Sequence, residues 1–336
     1  MNVPLRFAIV LVIAAMAAAC ASKNRLGKPT GGYAGSESCI TCHAKTDTAI
    51  VKGWLASRHR GTMNVIAARG GAGAEDSVAK AFKLSPREAR DVFAMIGRAD
   101  GPRVLVGRGL RLMRSEGWEE ENVVGPPHDV LADTTPEAPA KLKAIDAAER
   151  CFGCHTTGYS VSRGTVDEPG IGCEACHGPG KRHNESPKQK GLLAVPSTLP
   201  LDRANMVCGQ CHSQGKDKSG KHPFPVRPAG EAREPYRPGD DLAQFFVDAK
   251  PRRNGKGWEY SLLMEAAAKY AAQRCTDCHE PMRTTPESTA LKDTTSETCL
   301  KCHGIGNQRL RYENHWGLGN ALEKPCWQCH KNTHSH

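Results

Sequence analysis

Aromatic residues are scarce in this chain: phenylalanine, tryptophan and tyrosine make up 5% of 336 residues. Glycine (34) and proline (22) are plentiful by comparison. A chain this poor in large apolar rings and this rich in turn formers builds little conventional core from its own side chains. Long apolar runs are lacking as well. The run inside residues 1–19, "MNVPLRFAIVLVIAAMAAA", falls short of the ~20 apolar residues that a membrane span needs. Arg6 ahead of the run and small residues at its end make it a secretory signal peptide, so the mature protein is expected outside the cytoplasm.

Cysteine is not scarce, and its pattern is specific. Fourteen of the fifteen cysteines fall in seven copies of Cys-x-x-Cys-His. The copies are Cys39, Cys42 and His43; Cys151, Cys154 and His155; Cys173, Cys176 and His177; and Cys208, Cys211 and His212. They continue with Cys275, Cys278 and His279; Cys299, Cys302 and His303; and Cys326, Cys329 and His330. With only 14 histidines in the chain, seven in a row after Cys-x-x-Cys would arise by chance with a probability of roughly 10⁻⁹ to 10⁻¹⁰, and this pentapeptide is the c-type haem attachment signal. Zinc would need ligands grouped in fours, with no adjacent histidine required. A thioredoxin-like dithiol needs one motif near a βαβ unit, not seven.

The spacing has a physical cause. Residues i and i+3 share one face of a helical turn, so two thiols there reach the two vinyl groups along one porphyrin edge. The next residue then offers its imidazole to the iron as proximal ligand. The expected cofactor is therefore haem c, seven per chain, held through thioethers rather than disulfides or metal thiolates.

Seven further histidines remain for the sixth iron positions: His59, His128, His183, His222, His315, His334 and His336. All but His336, at the extreme carboxyl end, are candidate distal ligands. His183 lies too near His177 in sequence to reach the far side of the same haem, so a neighbouring haem is its expected target. Met63, Met206 and Met282 lie near motifs and compete for the same role. Imidazole would keep the potentials low, whereas methionine would raise them.

The formal charge of +10 would suggest an acidic partner if taken alone. Fourteen haem propionates offset it, so much of the lysine and arginine is expected to pair with them and nucleic-acid binding is not supported. The fifteenth cysteine, Cys20, follows "AAA" directly and fits the lipoprotein-processing pattern. Lipidation there would anchor the chain to a membrane without spanning it.

Gaps between successive motif starts are uneven, so the chain is not a simple tandem repeat. The expected organisation is a signal peptide (1–19), a flexible tether (20–38), a module with haems one to three (39–205) and a module with haems four to seven (206–336). "AKTDTAIVKGWLASRH", ending at His59, is expected to be helical. "SPRE" at Ser85–Glu88 is a capping box, after which Ala89, Val92, Phe93 and Ile96 keep helical spacing. "PRVLVGRGLRLM" (102–113) suits a strand or hairpin, while 137–150 and 259–274 are expected helices and the proline-rich 221–241 an extended loop. The fold class expected is mainly α with extensive irregular loops and little β, organised around stacked haems.

The run from motif one to "GWLASRH" (Trp54, Ser57, His59), then "CFGCHTTGY" and "GIGCEACHGPGKRH", resembles the periplasmic multihaem cytochromes c related to the tetrahaem electron carrier of ammonia-oxidising bacteria. "CGQCHSQGK", "FPVRP", "YRPGDDLAQFF" and "CTDCHEP" are similar to longer members of that group from metal- and sulfur-cycling bacteria. The resemblance implies distal haem ligation by His59 and His183, and a role in anaerobic respiration. It also implies redox partner proteins, either other cytochromes or quinol-linked oxidoreductases. Segment 60–130 departs from the family pattern. The family mixes carriers with enzymes, so two functions stay open: an electron-transfer protein in the periplasm or at the outer membrane, and an oxidoreductase for a small nitrogen or sulfur compound at one open iron. No catalytic residue is singled out. All seven motifs end in histidine, and none has the lysine of a Cys-x-x-Cys-Lys catalytic site.

Overall fold

The structure, a computed structural model, describes residues 32–66, 78–97, 101–117, 128, 131, 133, 135–213, 215–226, 236–247 and 274–282. Motifs six and seven, His315, His334, Cys20, the signal peptide and nearly all of the 259–274 segment lie outside these residues.

Helix α1 (Ser36–Thr46) carries motif one on its surface and ends at Asp47, where α2 (Thr48–Ala56) begins. The helix expected to end at His59 is therefore broken, and His59 follows α2 in a turn. Trp54 of α2 is buried, and its indole N–H donates to the Ile171 carbonyl at 2.9 Å. That bond fixes the amino-terminal helices to the segment leading into motif three.

The haem-free stretch after His59 forms a four-stranded antiparallel sheet in the order β1 (Met63–Val65), β2 (Val92–Gly97), β3 (Arg103–Gly107), β4 (Leu112–Glu116). This sheet overturns the expectation of a mainly α fold with little β. The capping box is present: the Ser85 hydroxyl accepts from the Glu88 N–H while the Glu88 carboxylate accepts from the Ser85 N–H. Helix α3 (Pro86–Asp91) nevertheless stops after six residues, and Val92, Phe93 and Ile96 enter a strand. Val104 and Val106 explain the change, because β-branched residues favour a pleated surface and pairing with β3 satisfies the β2 backbone. Gly97 closes the β2–β3 turn at φ +94°, where an added Cβ would collide with the Pro102 carbonyl.

The sheet buries side chains on both faces. On one face Met63, Ile96, Val104, Val106 and Leu112 pack with Leu131, Leu142, Ala147 and Phe152. On the other, Val92 and Leu105 pack with Ile66 and Phe82. The first face is covered by α4 (Ala138–Ala144), α5 (Ala147–Arg150) and α6 (Phe152–His155). The 137–150 helix is thus two short pieces broken at Ile145–Asp146, where the Asp146 carboxylate caps α5. Because α6 is motif two itself, the sheet core and this haem motif are one packing unit.

The ladder β5 (Thr156–Thr157) with β6 (Glu168–Pro169) leads to α7 (Glu174–His177), which carries motif three, and α8 (Lys181–Glu185), which carries His183. Helix α9 (Leu201–His212) ends in motif four and runs through residues 205 and 206. A short ladder of β7 (Lys216–Asp217) and β8 (Phe246–Val247) precedes α10 (Cys275–Cys278), in motif five. Among the described residues no helix is long and apolar enough to cross a membrane.

Candidate haem-binding sites

Each described motif presents its thiols and imidazole on a single turn or short helix. The ten described cysteines are all free. Their contacts show which motifs adjoin. Cys39 lies against Cys173, and the contact pushes the Cys39 thiol up and holds the Cys173 thiol below its ordinary value. Cys211 meets Cys154, and Cys275 meets Cys208, raising Cys211 and Cys275 in the same way. Burial pushes Cys176 up to about 12, and the neighbouring Cys211 adds to the shift. Motif one therefore adjoins three, motif two adjoins four, and motif four also adjoins three and five.

Long-range hydrogen bonds hold these junctions. Glu174, between the two cysteines of motif three, is buried, and its carboxylate accepts the N–H groups of Ala34, Gly35 and Gly180 at 2.8, 2.7 and 2.6 Å. Ser36 donates to Glu168 at 2.8 Å and accepts the Cys173 N–H at 2.9 Å. The start of α1 is thus stapled to motif three. Arg274 donates to the Pro196 and Leu199 carbonyls, and the Asn205 side chain accepts the Cys275 N–H, which fastens motif five to α9. In motif two, an added Cβ on Gly153 would collide with the Phe224 ring, so this position needs glycine. Sequence reasoning passed over Glu174, Asn205 and Gly153. The variable residues of a Cys-x-x-Cys pair give no local sign of what they will meet.

The imidazoles meet in pairs. His43 faces His183 with ring centroids 6.3 Å apart and planes at 24°. His59 and His212 are 6.3 Å apart at 87°, and His128 and His155 are 6.1 Å apart at 75°. Each pair joins one motif histidine to one that stands outside the motifs. With metal–imidazole bonds of about 2.0–2.1 Å, two rings on opposite sides of one metal have centroids roughly 6 Å apart. The three separations therefore fit an iron between the rings of each pair. Among the described residues no group of three or more His, Cys, Asp or Glu is arranged to hold a metal, which is the zinc-type alternative.

The second ring nitrogens differ from site to site. Nδ1 of His43 donates to Asp47 Oδ2 at 2.8 Å, Nδ1 of His177 to the Ala194 carbonyl at 2.8 Å, and Nδ1 of His59 to the Pro281 carbonyl at 3.1 Å. Nδ1 of His155 is sealed from solvent and has no hydrogen-bond partner among the described residues. Burial keeps His155 neutral, pulling its pKa down to about 3, and burial likewise lowers His212 to about 4. His222 is buried beside Phe224, with Nδ1 3.1 Å from Asp217 Oδ2, so its Nε2 keeps the lone pair a ligand needs. A cavity of about 230 Å³ opens between the sheet and motif two, lined by Ile96, Val104, Leu112, His128, Cys151 and His155 among others. Of the methionines, Met63 is in the sheet core and the Met206 sulfur accepts the Leu242 N–H at 3.4 Å.

Comparison with known proteins agrees with this chemistry. The family described as cytochrome c554 and c-prime matches residues 128–178, from His128 through motif three. The doubled CXXCH motif family matches 268–307, which contains motifs five and six. The multiheme cytochrome MtrA of Shewanella baltica is 26% identical over 46% of this chain and 52% of its own length. Cytochrome c-554 of Nitrosomonas europaea is 23% identical over 37% of this chain and 64% of its own. The chain thus spans between half and two thirds of the length of these curated relatives. The outer cell wall cytochrome OcwA shares the fold, with a TM-score of 0.52 at 20% identity over 81% of this chain and 67% of that one. The chain is a multihaem c-type cytochrome, and its cofactor is haem c.

Proposed function

We propose that this protein is a heptahaem electron-transfer cytochrome whose irons are mostly ligated by two histidines. The observation that carries the reading is the set of facing imidazoles: His43 with His183, His59 with His212, and His128 with His155, each with ring centroids 6.1–6.3 Å apart, the separation that two imidazoles on one iron would have. Bound haem c would supply one-electron chemistry at low potential.

The chain's own residues do the rest. The seven cysteine pairs hold the cofactors, His43, His155, His177, His212, His279, His303 and His330 serve as proximal ligands, and the paired outside histidines close the opposite face. His222, already set in its ligand tautomer by Asp217, remains a distal candidate together with His315 and His334. The thiol contacts run one–three–four–two with five joined to four, which supports a connected path rather than isolated centres. Redox proteins are the expected partners. The 20–38 tether is shorter than expected, because Ala34, Gly35 and Ser36 are fastened to motif three and α1 starts at Ser36. The residues ahead of them, lipidated at Cys20, would hold the haem body near its partners, in the periplasm or at the outer membrane.

Spin-state analysis of the purified ferric protein tests the reading. Low-spin iron throughout is expected, together with a mass excess of seven haems. A high-spin fraction that binds nitrite or hydroxylamine would instead favour the oxidoreductase. Cys20→Ser should release a haem-loaded soluble protein, and wild-type protein without lipid mass would remove the anchor.

A further inference from the structure

We propose that the four-stranded sheet makes the motif-two site take up an electron before the motif-one site. The inference rests on the pairing of His43 with His183 and of His128 with His155 as axial ligands.

Two independent features set the two sites apart. The first is burial. Motif two lies against the main apolar cluster, and its cavity is walled by Ile96, Val104 and Leu112 of the sheet, with Leu131 and Ile145 beside them. Arg150 lines that cavity, and Asp146 at the start of α5 acts on Cys151 with the opposite sign, so the two charges offset each other. The apolar wall disfavours the more highly charged ferric state. Motif one sits on α1, whose residues Thr41–Thr46 are exposed. Solvent there favours the ferric state.

The second feature is the hydrogen bond behind each proximal ring. A carboxylate behind a ligating imidazole raises its basicity and so favours the ferric ion. Asp47 does this for His43 at 2.8 Å. His155 has no partner at Nδ1 among the described residues. It is therefore the weaker donor of the two. Asp47 is a positioning residue that acts through His43.

Both features act in the same direction. One electron moves from the motif-one site, oxidised from Fe(II) to Fe(III), to the motif-two site, reduced from Fe(III) to Fe(II). No bond breaks and no proton or further reactant is needed. The path available runs through motifs three and four, in the order of the thiol contacts.

Ring geometry supplies the readout. Near-parallel axial imidazoles, as in the 24° pair of His43 and His183, give a rhombic low-spin ferric EPR signal. The 75° pair of His128 and His155 gives a strongly anisotropic one. His183→Ala and His128→Ala, compared with the unaltered full-length holoprotein, assign the two signals by their loss. His128→Met serves if the alanine variant does not accumulate. In an EPR-monitored reductive titration the signal assigned to His128 should disappear before the one assigned to His183. At least a tenfold preference of the electron for motif two over motif one is expected, about 59 mV for a one-electron couple. Asp47→Asn should move only the signal assigned to His183, toward higher potential. Loss of the two signals together or in reverse order overturns the inference, as does an Asp47→Asn variant with an unmoved motif-one signal. If neither histidine variant removes a low-spin signal, the ligand reading itself fails, a result distinct from the other two.

Discussion

Motif one and motif two carry the same five-residue pattern in opposite settings. Around motif two the chain supplies its own core: β2, β3 and β4 place Ile96, Val104, Val106 and Leu112 against Ala147 and Phe152. Around motif one α1 buries only Ser36 and α2 only Trp54, and polar staples from Glu174 and Ser36 hold the segment in place. A chain with few aromatic residues therefore concentrates its apolar packing at one site and leaves the other dependent on hydrogen bonds and on the cofactor.

Removing the haems should separate the two regions most sharply. In chain produced without haem attachment, hydrogen exchange should show β2–β4 protected and α1 and α2 open. A difference of roughly tenfold or more is expected, equivalent to about 1.4 kcal/mol of local opening free energy. Equal protection in both regions would break the comparison.

Glu174→Ala strikes the motif-one side. It leaves the N–H groups of Ala34, Gly35 and Gly180 without their acceptor. An orphaned buried donor costs about 1–3 kcal/mol, and Gly180 is buried while Ala34 and Gly35 are only partly so, so the loss should be on the order of 2–4 kcal/mol and should loosen α1 ahead of the sheet. Denaturation followed at both regions would show it, and coincident, unshifted transitions would contradict it.

Leu112→Ala is the counterpart on the motif-two side. Its side chain is fully buried in the sheet cluster and lines the cavity, so a cost of about 2–4 kcal/mol is expected in thermal unfolding, with the His43–His183 signal unaltered. Ser85→Ala should have the smallest effect, about 1 kcal/mol. It removes one half of the box that starts α3, and a larger loss would mean that α3 supports the sheet more than its six residues suggest.

Local patterns in the sequence were read well where the physics is local. The capping box stands where Ser85 and Glu88 indicate, and the 102–113 segment forms the β3–β4 hairpin. Helical spacing misled at Val92, Phe93 and Ile96. Those residues are apolar because both faces of the sheet are covered, and burial on two sides imitates the period of a half-buried helix. The mainly α expectation failed at that point.

The sequence by itself determined the cofactor class, because Cys-x-x-Cys-His places two thiols and an imidazole within one helical turn and needs nothing from elsewhere in the chain. It also supplied a stock of imidazoles outside the motifs. Which of them faces which motif was decided only by the tertiary structure. His183 meets His43 across 140 positions, and His59 meets His212 across a comparable distance. Motif one touches three and motif two touches four, although two and three are the closer neighbours in sequence. The reason is that a haem motif is short and makes no choice of neighbour. Distant contacts make that choice, among them the Glu174 staple, the Asn205 bond to Cys275 and the apolar face of the sheet, and their strength depends on burial that no local pattern records.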